Sequence, residues 1–323
     1  MNSTIWMNRP ASDWLEGLPI GTGRIAAMVP GYVRQERIGL NHEWLWHGRD
    51  RYRDTEPRAH LLSEVRRLLW EERWEEAAQA ANDAFGGPGG ISPGPNRVDP
   101  YQPAGDLCIE FPHGPFSDYR RSLDLQTGVV EVSYQALSGG RCIRTCVADL
   151  VRDALYIRLY AGGAPFDCAV WLDRQHDPEC ALRHSVAAAE LNLGGAISGG
   201  TGFHVRCRLS HSGGALQPVE AGKLAARGVS DLILAVDVGT TVNYRDPADE
   251  CRAEALPPEQ WDDLVRGAIG AVVLIDTRRL EDCFPAVDYF EEHRIPFVVG
   301  MNCFDGQVSH SPDDVREALA VSP

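Results

Sequence analysis

Lysine is almost missing: Lys223 stands alone against thirty arginines, and the net charge is −15. An acidic chain repels phosphate backbones and anionic lipid surfaces, so neither nucleic acid nor a membrane is an expected partner. The arginine bias reflects a GC-rich coding sequence and carries no chemistry. Long hydrophobic runs are also lacking, and none approaches the roughly 20 residues that span a bilayer. The opening MNSTIWMNRPASDW has no basic region followed by an apolar core. No secretory leader is therefore expected, and the expected compartment is the cytoplasm. Paired cysteine motifs are absent as well. The nine cysteines are odd in number and scattered; only Cys142 and Cys146 are close, a weak metal signal without a second pair. Reduced, mostly buried thiols are expected, with no metal and no cofactor.

What is present is ordinary globular chemistry, 44% hydrophobic and 24% charged over 323 residues, enough for one large domain or two ordinary ones. RIAAMV, the turn signal Pro30-Gly31 and the alternating YVRQERIGL predict a hairpin. Over 57–85, Leu61, Val65, Leu68 and Leu69 share a helical face, and Trp74, Ala77, Ala78, Ala81 and Phe85 continue a similar spacing. This predicts one long helix or a helical hairpin, stopped by GGPGG. Residues 86–104 are too rich in Gly and Pro for a regular element. From 105 to about 242 the strand signal repeats in DLCIEF, VVEVSYQ, RCIRTCVA, ALYIRLY, FDCAVWL, FHVRCRLS and DLILAVDV. Short alternating strands between turns predict an antiparallel sandwich.

DWLEGLPIGTGRIAAMV, ERIGLNHEWLWHG, EVRRLL, YQPAGDLCIEF, YRRSLDLQTGVVEVSY and NYRDP occur in this order between about 6 and 255. Together they resemble the N-terminal domain of family 95 glycoside hydrolases, the α-L-fucosidases and relatives. The resemblance implies a large antiparallel β-super-sandwich with a helical insertion, over 1–255, preceding an (α/α)6 catalytic barrel. His42 and His47 stand where the family more often has acidic and small residues, and Ala26-Ala27 replaces a more usual Gly-Ala. In the family the acid and base of inverting hydrolysis sit on the barrel, and the stretch after 255 is too short to supply one. No catalytic residue can be matched, and the chain is expected to be inactive alone. Glu36, Glu43, Asp106, Glu110 and Asp124 are carboxylates on the sandwich, but abundance alone brings acids together on so acidic a chain.

The best functional candidates are Asn41, Glu43, Trp44 and Trp46, within NHEWLWH. Two indoles with interleaved polar groups could stack on the apolar face of a pyranose, but packing in a seam against a barrel is the expected role. A fucosylated glycan or a separate catalytic barrel is thus the expected partner. An uncovered seam would favour self-association.

After a junction at 256–260 the pattern changes. WDDLVRGAI is helix-like, GAVVLIDTRR and PFVVGMNCFDG are continuous apolar strands, and LEDCFPAVDYFEEHRI is amphipathic. Strands without alternation, joined by helices, predict a small partial parallel α/β segment over 261–323. WDDLVRGAIGAVVLIDTRRL and NCFDG resemble a conservon-type small GTP-binding protein. Asn302 and Asp305 match its guanine-reading Asn-x-x-Asp. The phosphate loop G-x-x-x-x-G-K-[ST] has no counterpart, since Lys223 lies in AGKLAA. The guanine loop is therefore expected to be a vestige. Three readings follow: an accessory sandwich, a regulatory module using the GTPase-like tail, or a fusion product without selected activity.

Overall fold

The computed structural model describes residues 4–47, 57–85, 100–112, 114–137, 140–219, 222–266, 271–276 and 297–302. Strands β1 (Thr4–Met7), β2 (Leu18–Gly21), β3 (Ile25–Val29) and β4 (Gln35–His42) precede helices α1 (Leu62–Trp70) and α2 (Trp74–Phe85). Then follow β5 (Gly105–Glu110), β6 (Phe116–Asp124), β7 (Val129–Ala136), β8 (Arg141–Asp149), β9 (Ala154–Tyr160) and β10 (Phe166–Asp173). The series continues with β11 (Cys180–Ala187), β12 (Glu190–Ile197), β13 (Gly202–Ser212), β14 (Ala215–Val219), β15 (Lys223–Val229) and β16 (Asp231–Thr240). Helix α3 (Trp261–Arg266) and strands β17 (Ala271–Asp276) and β18 (Phe297–Asn302) come last.

Two antiparallel sheets form the sandwich. One has nine strands in the order β1-β6-β7-β8-β9-β16-β13-β12-β11, the other seven in the order β14-β15-β10-β5-β4-β3-β2. The alternation that predicts strands is what builds the core. Along β13, Phe203, Val205, Cys207 and Leu209 are buried, while His204, Arg206, Arg208 and Ser210 face outward and are half-buried. Their inward partners from the other sheet include Leu40, Leu107, Val170 and Leu224. The predicted mainly-β sandwich with a helical insertion is the observed fold, and β3 with β4 is the expected hairpin.

Strand β16 breaks the alternation, since all ten of its residues are buried. The reason is a strap over its outer face. Arg206 and Arg208 donate to the carbonyls of Cys251 (2.6 Å) and Ala253 (2.7 Å), and Ser210 donates to that of Leu256. Leu256, Trp261 and Leu264 then pack on Tyr156, Ile233 and Ala235. Residues on both sides of the predicted 256–260 junction thus share one apolar cluster with the sandwich.

The helical insertion is the hairpin alternative rather than one long helix. Glu72 takes a left-handed φ of 57°, which ends α1 and resets the helical phase. Val65, Leu68, Ala77 and Ala84 are buried, but Trp74 and Phe85 are exposed, against the single continuous face read from spacing. The prediction of an irregular loop over 86–104 falls mostly outside the described residues. Strands β17 and β18 pair in parallel, with Asp276 opposite Asn302, as the non-alternating pattern requires. Among the described residues no helix is long and apolar enough to cross a membrane.

Candidate functional site

The NHEWLWH segment runs off the end of β4 into a turn held by backbone bonds. Glu43 N donates to Arg24 O (2.8 Å), Leu45 N to His42 O (3.0 Å), and His47 N to Pro100 O (3.0 Å). Leu45 is fully buried and anchors the turn in the core. Trp44 and Trp46 on either side point outward, 49% and 41% exposed. The Trp46 ring meets Tyr101 edge-on at 5.0 Å, and Trp46 Nε1 donates to Glu43 O (3.1 Å). Tyr101 donates its hydroxyl proton to His42 O (2.7 Å). Asn41 is half-buried on β4 and Glu43 is exposed beside the indoles; partial burial raises the Glu43 carboxyl above its usual value. The four residues singled out in sequence therefore do share one end of the sandwich, joined by Tyr101.

His42 and His47 serve beneath them. His42 is fully buried. Its Nδ1 accepts from Trp44 N (3.1 Å), so the ring proton sits on Nε2, 3.5 Å from Glu250 Oε1. Burial holds its pKa below the ordinary histidine value, with Glu250 pulling it back up. His47 Nε2 lies 3.3 Å from Glu179 Oε2, and its carbonyl accepts from Thr201 N (3.1 Å).

Beside the turn lies a charged cleft of about 310 Å³, lined by Arg24, Asp153, Asp237, Tyr244, Glu250 and Arg252 among others. Arg24 is its hub. It donates to Asp153, to Asp237 Oδ1 (2.7 Å) and to Val238 O (2.5 Å), with Glu250 at 3.7 Å. Burial works against its charge, but Asp237 and Asp153 more than offset that and keep it protonated well above its usual range. Asp237 is saturated: Oδ1 also accepts from Val238 N (2.8 Å), and Oδ2 accepts from Arg252 N (2.7 Å) and Ala253 N (3.0 Å). Glu250 Oε2 accepts from Thr240 N (2.8 Å). Sequence reasoning missed this hub. The available signal was Asp237 inside the apolar run DLILAVDV, because a carboxylate on a buried strand needs a specific partner.

The other carboxylates do not converge. Glu36 is buried against Arg144 between the sheets. Asp106 pairs with Arg37 (2.7 Å), Glu110 accepts from Gln35 (3.1 Å), and Asp124 accepts from Gln126 N (2.8 Å). Asn302 ends β18, and Asp305 lies outside the described residues.

The fold and this end define an antiparallel double-sheet sandwich domain with an exposed aromatic turn beside a charged cleft. Across residues 5–246 the chain matches glycosyl hydrolase family 65, N-terminal domain, and it belongs to that family. It is similar to Alpha-L-fucosidase 2 of Arabidopsis thaliana, 36% identical over 129 residues, covering 39% of this chain and 14% of that protein. It is also similar to Probable alpha-fucosidase A of Aspergillus oryzae, 28% identical over 148 residues, covering 42% of this chain and 19% of that protein. The chain thus spans under a fifth of the length of these relatives. A solved structure described as a kojibiose phosphorylase from human microbiome aligns with a TM-score of 0.48 and 10% identity, over 82% of this chain and 35% of that one. The sequence expectation of a glycoside hydrolase N-terminal domain stands.

Proposed function

We propose that the chain is the sandwich domain of an α-L-fucosidase-type glycoside hydrolase, of the family 95 kind, and does not itself cleave glycosidic bonds. The observation that carries this reading is the 36% identity to a protein named Alpha-L-fucosidase 2. In it, the 41–47 turn is where the sandwich meets a catalytic barrel or the fucosylated glycan held there. Trp44, Trp46 and Tyr101 offer half-exposed ring faces and edges that suit a sugar or an apolar seam. Inverting hydrolysis needs two carboxyl groups about 6.5–9.5 Å apart across a water, one of them with a raised pKa. At this end Asp153, Asp237 and Glu250 instead converge on the guanidinium of Arg24, and Asp237 and Glu250 also accept backbone N–H bonds. Incubation with a chromogenic α-L-fucoside tests the reading: the folded chain is expected to release no aglycone. Turnover above background would sink the non-catalytic assignment.

A second reading concerns 261–323. The parallel β17–β18 pair, with Asn302 at a strand end, supports a GTPase-like origin without a phosphate site. Titration with a fluorescent GTP analogue is expected to show no saturable binding.

A further inference from the structure

The outer face of the nine-stranded sheet carries a second depression, about 380 Å³, over β11, β12 and β13. It shares no lining residue with the Arg24 cleft. Its floor follows from the strand register. Gly194 on β12 sits opposite Arg183 of β11 and His204 of β13. A Cβ at Gly194 would stand 3.9 Å from both Arg183 O and His204 Nδ1, so the missing side chain leaves open space between two polar walls.

Those walls have fixed hydrogen-bonding sense. Glu190 as a carboxylate can only accept, so the Asn192 amide must donate Nδ2 to it (2.9 Å). Asn192 Oδ1 then faces His204 Nε2 (2.9 Å) and Arg206 Nε (3.4 Å), and accepts from both. His204 therefore carries its proton on Nε2 and presents Nδ1, an acceptor, toward Gly194. Asp246 adds a rim carboxylate whose Oδ1 also accepts from Ala248 N (3.0 Å). Arg183 and the Ser185 hydroxyl supply donors on the opposite wall. One guanidinium and one carboxylate leave the lining without surplus charge, so an ionic ligand would always place a charge near its like. Donors and acceptors facing each other across a small, flat floor instead complement neighbouring hydroxyl groups, each of which both donates and accepts.

We propose that this trough binds one unit of a neutral saccharide, at a site separate from the aromatic turn. The test is titration of the full chain with L-fucose, D-glucose and D-galactose, followed by amide chemical shifts. Saturable binding of at least one sugar is expected, with shifts centred on Asn192, Gly194 and His204. Gly194→Val, which fills the trough on a strand that accepts β-branched residues, is expected to abolish it. Asp246→Asn is expected to weaken it about tenfold, one charge-assisted hydrogen bond. No saturable binding, binding unaltered by Gly194→Val and Asp246→Asn, or shifts centred on the aromatic turn would each overturn the proposal. Should Gly194→Val fail to fold by circular dichroism, Asp246→Asn and the location of the shifts decide.

Discussion

Arg24 holds three segments together with a single side chain: the turn before β3, the β8–β9 connection at Asp153, and β16 through Asp237 and Val238. Its side chain is only 17% exposed and that of Asp237 only 1%. Removing one member of such a pair strands the other away from water, which costs about 3–5 kcal/mol. Arg24→Ala is expected to fall at the lower end of that range in urea denaturation, because Asp153 is partly solvated. His42, whose Nε2 lies 3.5 Å from Glu250 Oε1, gives the same end a pH response. Its folded pKa lies below the ordinary value of 6.5 because of burial, and His204 is lowered for the same first reason, with Arg206 adding to it. Between those lowered values and about 6.5 the unfolded chain binds more protons than the folded one. Stability is therefore complete above that window and declines as pH falls through it. Urea midpoints from pH 7.5 to pH 5 (about the histidine range) are expected to drop, and His42→Gln is expected to flatten the decline.

Two elements set the geometry around these residues. The strap 250–266 is fastened by alternate outward residues of β13 and by Asp237, then buries Trp261 at 4% exposure and Leu264 at 5%. Trp261→Ala is expected to destabilise the sandwich by about 3–5 kcal/mol, the range for emptying a large aromatic site. A change under 1 kcal/mol in the urea midpoint analysis would show that α3 is not part of the sandwich core. The aromatic turn depends on the β12–β13 connection. A Cβ at Gly200 would lie 1.8 Å from His47 O, so only glycine lets that connection pass beneath the turn. Gly200→Ala is expected to cost about 1–3 kcal/mol and to shift the emission of the half-exposed Trp44 and Trp46.

At the scale of the whole molecule, the aromatic end is one of several exposed apolar surfaces among the described residues. Exposed indoles beside a charged cleft have the composition of an interface centre, with Trp, Tyr and Arg together. Without a catalytic barrel over it, we expect the chain to self-associate there. Sedimentation velocity is expected to show reversible association that Trp44→Ser with Trp46→Ser removes. Association unchanged by that pair would move the interface elsewhere, for example to the exposed Trp70 and Trp74 of the helical hairpin.

The sequence by itself determined the longer alternating strands, because alternation along β7 and β13 calls for one dry and one wetter face. It determined the parallel pairing of β17 with β18, because a continuous apolar strand needs cover on both sides. It also placed Asn41, Glu43, Trp44 and Trp46 together, since seven consecutive residues cannot separate. Strands β1, β2, β6, β11, β12, β14 and β15 were not legible: their sequences lack a clear apolar alternation and become strands only when a neighbour supplies the ladder. Nor could spacing reveal Arg24, Asp153, Asp237 and Glu250 as one cluster, since more than a hundred residues separate their ends in sequence. The closure of two sheets brought them within hydrogen-bond reach. Local periodicity is a property of neighbours along the chain; charge pairing and the open floor at Gly194 arise only from residues that folding makes adjacent.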